Sequence, residues 1–134
     1  MELANLFSNI NWIGVVVMTI VSFMLGALWH SKLLFGKTWK KENKYGDKVN
    51  VNAPLIFGGT ALMHFVLLAG ISAQVSGHGA VEGLLIALTI SIVFVLPAMA
   101  GTYLFANRSL KLLAIDAGMY IVLFCMAGLV LGIW

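Results

Sequence analysis

Charge is scarce in this 134-residue chain: Asp, Glu, Lys and Arg together make up 10% of it, against about 25% in an ordinary soluble domain. A domain this small exposes a large share of its surface, and so few charged side chains cannot cover that surface in water. A soluble globular domain is thereby excluded. Cysteine is almost absent. Cys125 stands alone, so there is no intrachain disulfide framework, and with no charged neighbour in sequence it reads as an inert packing residue. Catalytic signatures are missing as well. There is no phosphate loop, nucleophile elbow, HExxH or CxxC in the chain, and each of these is a spacing its chemistry requires. We therefore expect no enzyme and no cofactor.

What is present is apolar. Hydrophobic residues make up 61% of the chain, which excludes intrinsic disorder as firmly as the low charge excludes a soluble domain. Four nearly uncharged runs of about 20 residues or more are each long enough to cross a bilayer as a helix. They are Ile10–Trp29, Leu55–Val75, Gly83–Phe105 and Leu112–Trp134. Backbone polar groups in lipid must bond internally, so runs of this length predict helices. The expected fold is all-α, a single four-helix membrane bundle.

The few charges are sorted. Six of the eight basic residues, Lys32, Lys37, Lys40, Lys41, Lys44 and Lys48, follow the first span, and the other two, Arg108 and Lys111, lie between the third and fourth. The N-terminus and the second connection carry only Glu2 and Glu82. The positive-inside rule then makes the first and third connections cytoplasmic, with both termini outside, in a cell (inner) membrane. Trp12 and Trp134 are expected as outer interfacial anchors, and Trp29, Trp39 and Tyr103 as inner ones. In Ser31–Lys41, apolar Leu33, Leu34, Phe35 and Trp39 are interleaved with lysines. This mixture suits a stretch on the inner membrane surface, against anionic lipids. Residues 42–54 read as a solvated loop. The positive-inside rule accounts for the basic residues, so no nucleic-acid partner is inferred.

Small residues at spacing four mark helix contact faces in membranes. They occur as Ser22 and Gly26, as Ala69 and Ala73, as Gly83, Ala87 and Ser91, and as Gly118, Gly128 and Gly132, with Ala114 four before Gly118. These stripes predict packing within the bundle or between copies, and a homo-oligomer is expected. Pro97 lies inside the third span and lacks a backbone donor, which predicts a kink.

Polar side chains within the spans are the functional candidates. Asp116 is the only charged residue in any span. It reads either as a helix-start anchor near Arg108 or Lys111 or as a functional carboxylate. His64 lies mid-span and needs a partner, for which a backbone carbonyl, Thr89, Ser91 and Tyr120 are candidates. His30 closes the first span, and at similar predicted depth to Asp116 and Arg108 it suggests that the three converge. The inner-face basic cluster would comprise Arg108, Lys111, Lys32 and Lys37. His78 and Glu82 are too few for a metal site.

Certain of these residues carry a likeness. Gly26, Ala27, Leu28, Trp29, His30 and Ser31, followed by Leu34, Phe35, Gly36, Lys37 and Trp39, resemble a motif of the family called domain of unknown function 1761. The run containing Asp116, Gly118 and Tyr120 is similar to that family's last helix. Here His30 stands where the family more often has Tyr, and Lys32 where it has Pro. The resemblance implies a small four-helix membrane protein and names no substrate. Two readings follow from the residues: an oligomeric transporter or channel for a small solute or ion, or a non-transporting structural or accessory protein that binds partner helices.

Overall fold

A computed structural model describes residues 3–43 and 52–134. Lys44, Lys48 and most of the expected solvated loop lie outside these residues. Every regular element among the described residues is helical. They are α1 (Leu3–Ser8), α2 (Trp12–Trp29), α3 (Gly36–Asn43), α4 (Ala53–Val75), α5 (Ala80–Ile90), α6 (Leu96–Phe105) and α7 (Leu110–Ile133). Between α5 and α6 the chain makes a π turn, Ser91–Val95. Because α5, the π turn and α6 form one continuous rod, four helices are long and apolar enough to span a bilayer.

Local chemistry decides where these rods begin. Asn11, Asn52 and Ser109 each accept a backbone N–H of the first turn through the side chain, from Gly14, Leu55 and Leu112 respectively. Such caps satisfy donors that the helix itself cannot. The caps start α4 two residues before the expected Leu55, place Pro54 in its first turn, and start α7 two residues before Leu112. The third span likewise starts three residues before the expected Gly83, at Ala80. Just before Pro97, where a kink was expected, the helix widens into the π turn, in which Leu96 N–H bonds back to the carbonyl of Ser91, five residues earlier.

Helix α7 is the axis of the bundle. Over an 18-residue apolar stretch of this helix 44% of residues are buried, against 17–22% in the other three spans. Helices α2, α4, α5 and α6 all pack on it, as does the short α3. The outward faces are apolar, with Phe94 66% exposed and Leu62 57%. Only a lipid solvent makes that surface favourable.

The two ends of the bundle are built differently. Toward the end that carries Trp12 and Trp134, α2, α4, α5 and α7 close around a continuous core that includes Met18, Leu68, Ala87, Phe124 and Leu131. Here α5 and α7 meet almost backbone to backbone: a Cβ on Gly83 would collide with the carbonyl oxygen of Gly128, and one on Gly128 with that of Gly83. The expected stripe of Gly83, Ala87, Gly128 and Gly132 is buried along this seam. Ser91, at the start of the π turn, is buried too, and its hydroxyl donates to Leu88 O. Toward the α3 end, the core shrinks to a small cluster of Tyr103, Leu112, Leu113 and Ala117 between α6 and α7. α6 packs on α7 with little approach to α4, and the first six residues of α4 are all exposed. A space is left between them.

Candidate functional site

That space is a cavity of about 950 Å³, at the upper end of the roughly 300–1,000 Å³ typical of small-molecule sites. Its lining is chiefly apolar and aromatic, from α2, α3, α4, α6 and α7. Into it project His30, His64, Asp116 and Tyr120, along with Trp39 and Tyr103. Two of these are set by helix geometry alone. Asp116 and Tyr120 are four apart on α7 and therefore share a face, about one 5.4 Å turn apart. Ser22, Gly26 and His30 repeat the same spacing on α2. Gly26 was expected on a contact face, but it lines the cavity instead, and a Cβ there would make only an ordinary contact, 3.9 Å from Met119 Sδ.

The polar groups form two tiers. In the tier nearer α3, Asp116 Oδ1 accepts the indole N–H of Trp39 at 2.9 Å, and Oδ2 accepts the hydroxyl of Tyr103. His30 Nε2 lies 3.8 Å from Oδ1. His30 Nδ1 is 3.0 Å from the carbonyl oxygen of Gly26; a carbonyl can only accept, so Nδ1 carries a proton. Neutral His30 then turns a bare Nε2 lone pair toward a carboxylate, whereas protonated His30 makes an ion pair with it. The nearby Asp116 carboxylate, reinforced by the Gly26 carbonyl, raises the His30 pKa above the usual 6.5, against the opposing effect of burial. Among the described residues this is the one pairing of a cationic with an acidic side chain within 4 Å.

In the second tier, His64 is buried, with 4% exposure. Its Nδ1 is 2.8 Å from Ser22 Oγ, and the single hydroxyl proton of Ser22 is donated to Thr19 O at 2.6 Å. His64 must therefore donate from Nδ1, leaving Nε2 as acceptor for the Tyr120 hydroxyl at 3.5 Å. A directed chain results, from Tyr120 through His64 and Ser22 to a backbone carbonyl. Thr89 and Ser91, also considered as partners for His64, bond to their own helices at Leu85 O and Leu88 O.

Arg108 stands apart from Asp116. Its guanidinium donates to Asn43 Oδ1 at 2.5 Å and lies 4.6 Å from the centre of the Tyr103 ring. Lys111, Lys32 and Lys37 are exposed. Of the residues expected to converge, His30 and Asp116 meet, and Arg108 reaches the group indirectly, over the Tyr103 ring and through Asn43 to the Trp39 carbonyl. Trp39 and Tyr103 were expected at the membrane interface, yet both turn inward. Trp29 does the same, donating its indole N–H to Ile115 O at 2.9 Å, and Gly118 lies against its ring. Ala69 and Ala73 are half-buried beside Trp12, while Ala114 faces outward. His78 and Glu82 are exposed at the opposite end of the bundle.

Fold and site together make this a four-helix membrane bundle with a largely apolar cavity at one end, into which a few polar groups project. Residues 13–132 match the model of the family described as Protein of unknown function (DUF1761). The chain belongs to that family. No curated protein and no solved structure matches it.

Proposed function

We propose that this protein admits a small solute into the cavity and moves it across, or out of, the membrane. One observation carries the reading: His30, His64, Asp116 and Tyr120, four polar groups from three different helices, line a single space rather than a packed seam. Polar groups inside a membrane are costly. A bundle that used them only as glue would close around them, as α5 and α7 close around their glycines. By the positive-inside rule the α3 end is cytoplasmic, which would place the cavity in the inner half of the bilayer.

The test is flux. Purified protein in liposomes, loaded with pH- and ion-sensitive dyes, should move at least one small solute faster than empty liposomes, and a variant with the cavity filled, Gly26→Phe, should not. Equal flux with and without protein, across ions and small organic solutes, counts against the reading.

A second reading, a structural or accessory protein, draws on a different observation. Among the described residues no buried side-chain polar atom lacks a hydrogen-bond partner, so the same groups also hold helices together. Under that reading, filling the cavity would leave assembly and every phenotype of the protein unchanged.

A further inference from the structure

We propose that the solute is a small apolar cation, and that its binding at Asp116 displaces the proton on His30 Nε2. The proposal deepens the cavity reading above and rests on it.

The case begins with charge. Asp116 is the only acidic side chain in the cavity lining. Its two hydrogen-bond donors, the Trp39 indole and the Tyr103 hydroxyl, are neutral. Neither balances a carboxylate, so in a weakly polar setting the site requires one positive charge. His30 is placed to supply it, but loosely. Nε2 is 3.8 Å from the carboxylate, beyond the usual hydrogen-bond range of about 2.7–3.2 Å. The pair is also open to the cavity, since both residues line it. The remaining walls suit an organic cation better than a hydrated metal ion. The rings of Phe23, Phe57, Tyr103 and Tyr120 line the cavity, and aromatic rings attract cations that are cheap to dehydrate. A hard metal ion needs several oxygen ligands, and the described residues hold no group of three or more His, Cys, Asp or Glu that could bind one. Of the lining residues, Ile56 and Phe57, at the exposed start of α4, are apolar as well.

The exchange balances. The cation takes its place beside Asp116, the Nε2 proton of His30 passes to water, and the net charge of the tier stays at zero. The other titratable groups that line the cavity with His30 are Tyr120 on α7, Tyr103 on α6 and His64 on α4; Arg108 and Lys111 lie around the α6–α7 turn, and Lys37, Lys40, Lys41 and Glu42 on α3. Among the described residues, Asp116 alone among acidic groups lies within ion-pair distance of His30. Arg108 is turned to Asn43.

The experiment is equilibrium binding to the full chain in lipid nanodiscs, by calorimetry, between pH 5.5 and 8.5. The probes are tetraphenylphosphonium, its anionic counterpart tetraphenylborate, and neutral triphenylphosphine oxide. The expected result is binding of the cation in preference to the other two, tightening by up to about tenfold per pH unit until His30 is deprotonated, as displacement of one proton requires. His30→Gln should flatten that profile, and Asp116→Asn should abolish the preference for positive charge. Equal binding of all three probes, or a cation affinity independent of pH in the unaltered protein, overturns the proposal. These two comparisons use the unaltered chain, so they decide even if Asp116→Asn fails to fold. No cation binding, together with flux of some other solute in liposomes, overturns the proposal and leaves the solute reading standing; no binding and no flux overturn both.

Discussion

At the scale of single residues, the site is held by a few directed hydrogen bonds. The His64 chain predicts a graded response. Ser22→Ala removes the acceptor for His64 Nδ1–H and should cost about 0.6 kcal/mol, rising to at most about 1.7 kcal/mol, the range measured for interhelical bonds in membranes. Tyr120→Phe should cost less, because its bond to His64 is long at 3.5 Å. Reversible unfolding in mixed micelles measures both. His30 predicts a pH dependence. Its folded pKa is raised, chiefly by Asp116. The stabilisation is therefore complete below the unfolded value of about 6.5 and is lost as pH climbs through the higher folded value. The stability difference between the protein and His30→Gln should be larger at pH 5.5 than at pH 8.5, and a difference that grows with pH would contradict the assignment. Asp116 was legible in the sequence because it is the one charge in a span. Its partners were not. Trp39 and Tyr103 fit the aromatic-belt pattern, and that pattern records depth in the membrane without recording which way a ring turns. Trp39 lies 77 positions from Asp116 in the chain, a separation that no local spacing rule covers.

At the scale of elements, the seam between α5 and α7 contrasts with the cavity. Gly128→Ala puts a methyl group against the Gly83 carbonyl and the Ala87 side chain, so the helices must part. The expected loss is about 1–3 kcal/mol, as for other overpacked cores. Gly70→Ala, on the outer face of α4 with nothing within 4 Å of an added Cβ, should leave stability unchanged or slightly raised. Thermal unfolding in detergent separates the two. The four spans were legible because an apolar run of twenty residues has no other stable form in lipid. Three of their starts moved by two residues because the caps Asn11, Asn52 and Ser109 act on the backbone and add nothing to hydropathy. The same blindness hid α3 within a basic, amphipathic stretch, and it hid the π turn, of which Pro97 was the only trace. The glycine stripes were legible as small residues at spacing four, but this spacing does not distinguish Gly83 and Gly128, which bring two backbones together, from Gly26, which leaves room.

At the scale of the whole molecule, the bundle is closed at one end and open at the other, and the basic side chains among the described residues cluster at the open end. Cytoplasmic placement of that end predicts that Lys40→Cys, in a Cys125→Ser background, reacts with an impermeant thiol reagent in inverted membrane vesicles and not in intact cells. The opposite pattern would reverse the orientation. Admission of a solute requires that water reach the cavity. Thr60 lines it from α4, whereas Ala127 lies in the closed core and Leu62 faces outward. A thiol reacts as its thiolate, which requires water. With Cys125 replaced by Ser, Thr60→Cys should react with a small methanethiosulfonate reagent at least tenfold faster than either Ala127→Cys or Leu62→Cys. If Thr60→Cys is as inert as those two, the polar groups sit in a dry seam and the cavity has no functional role.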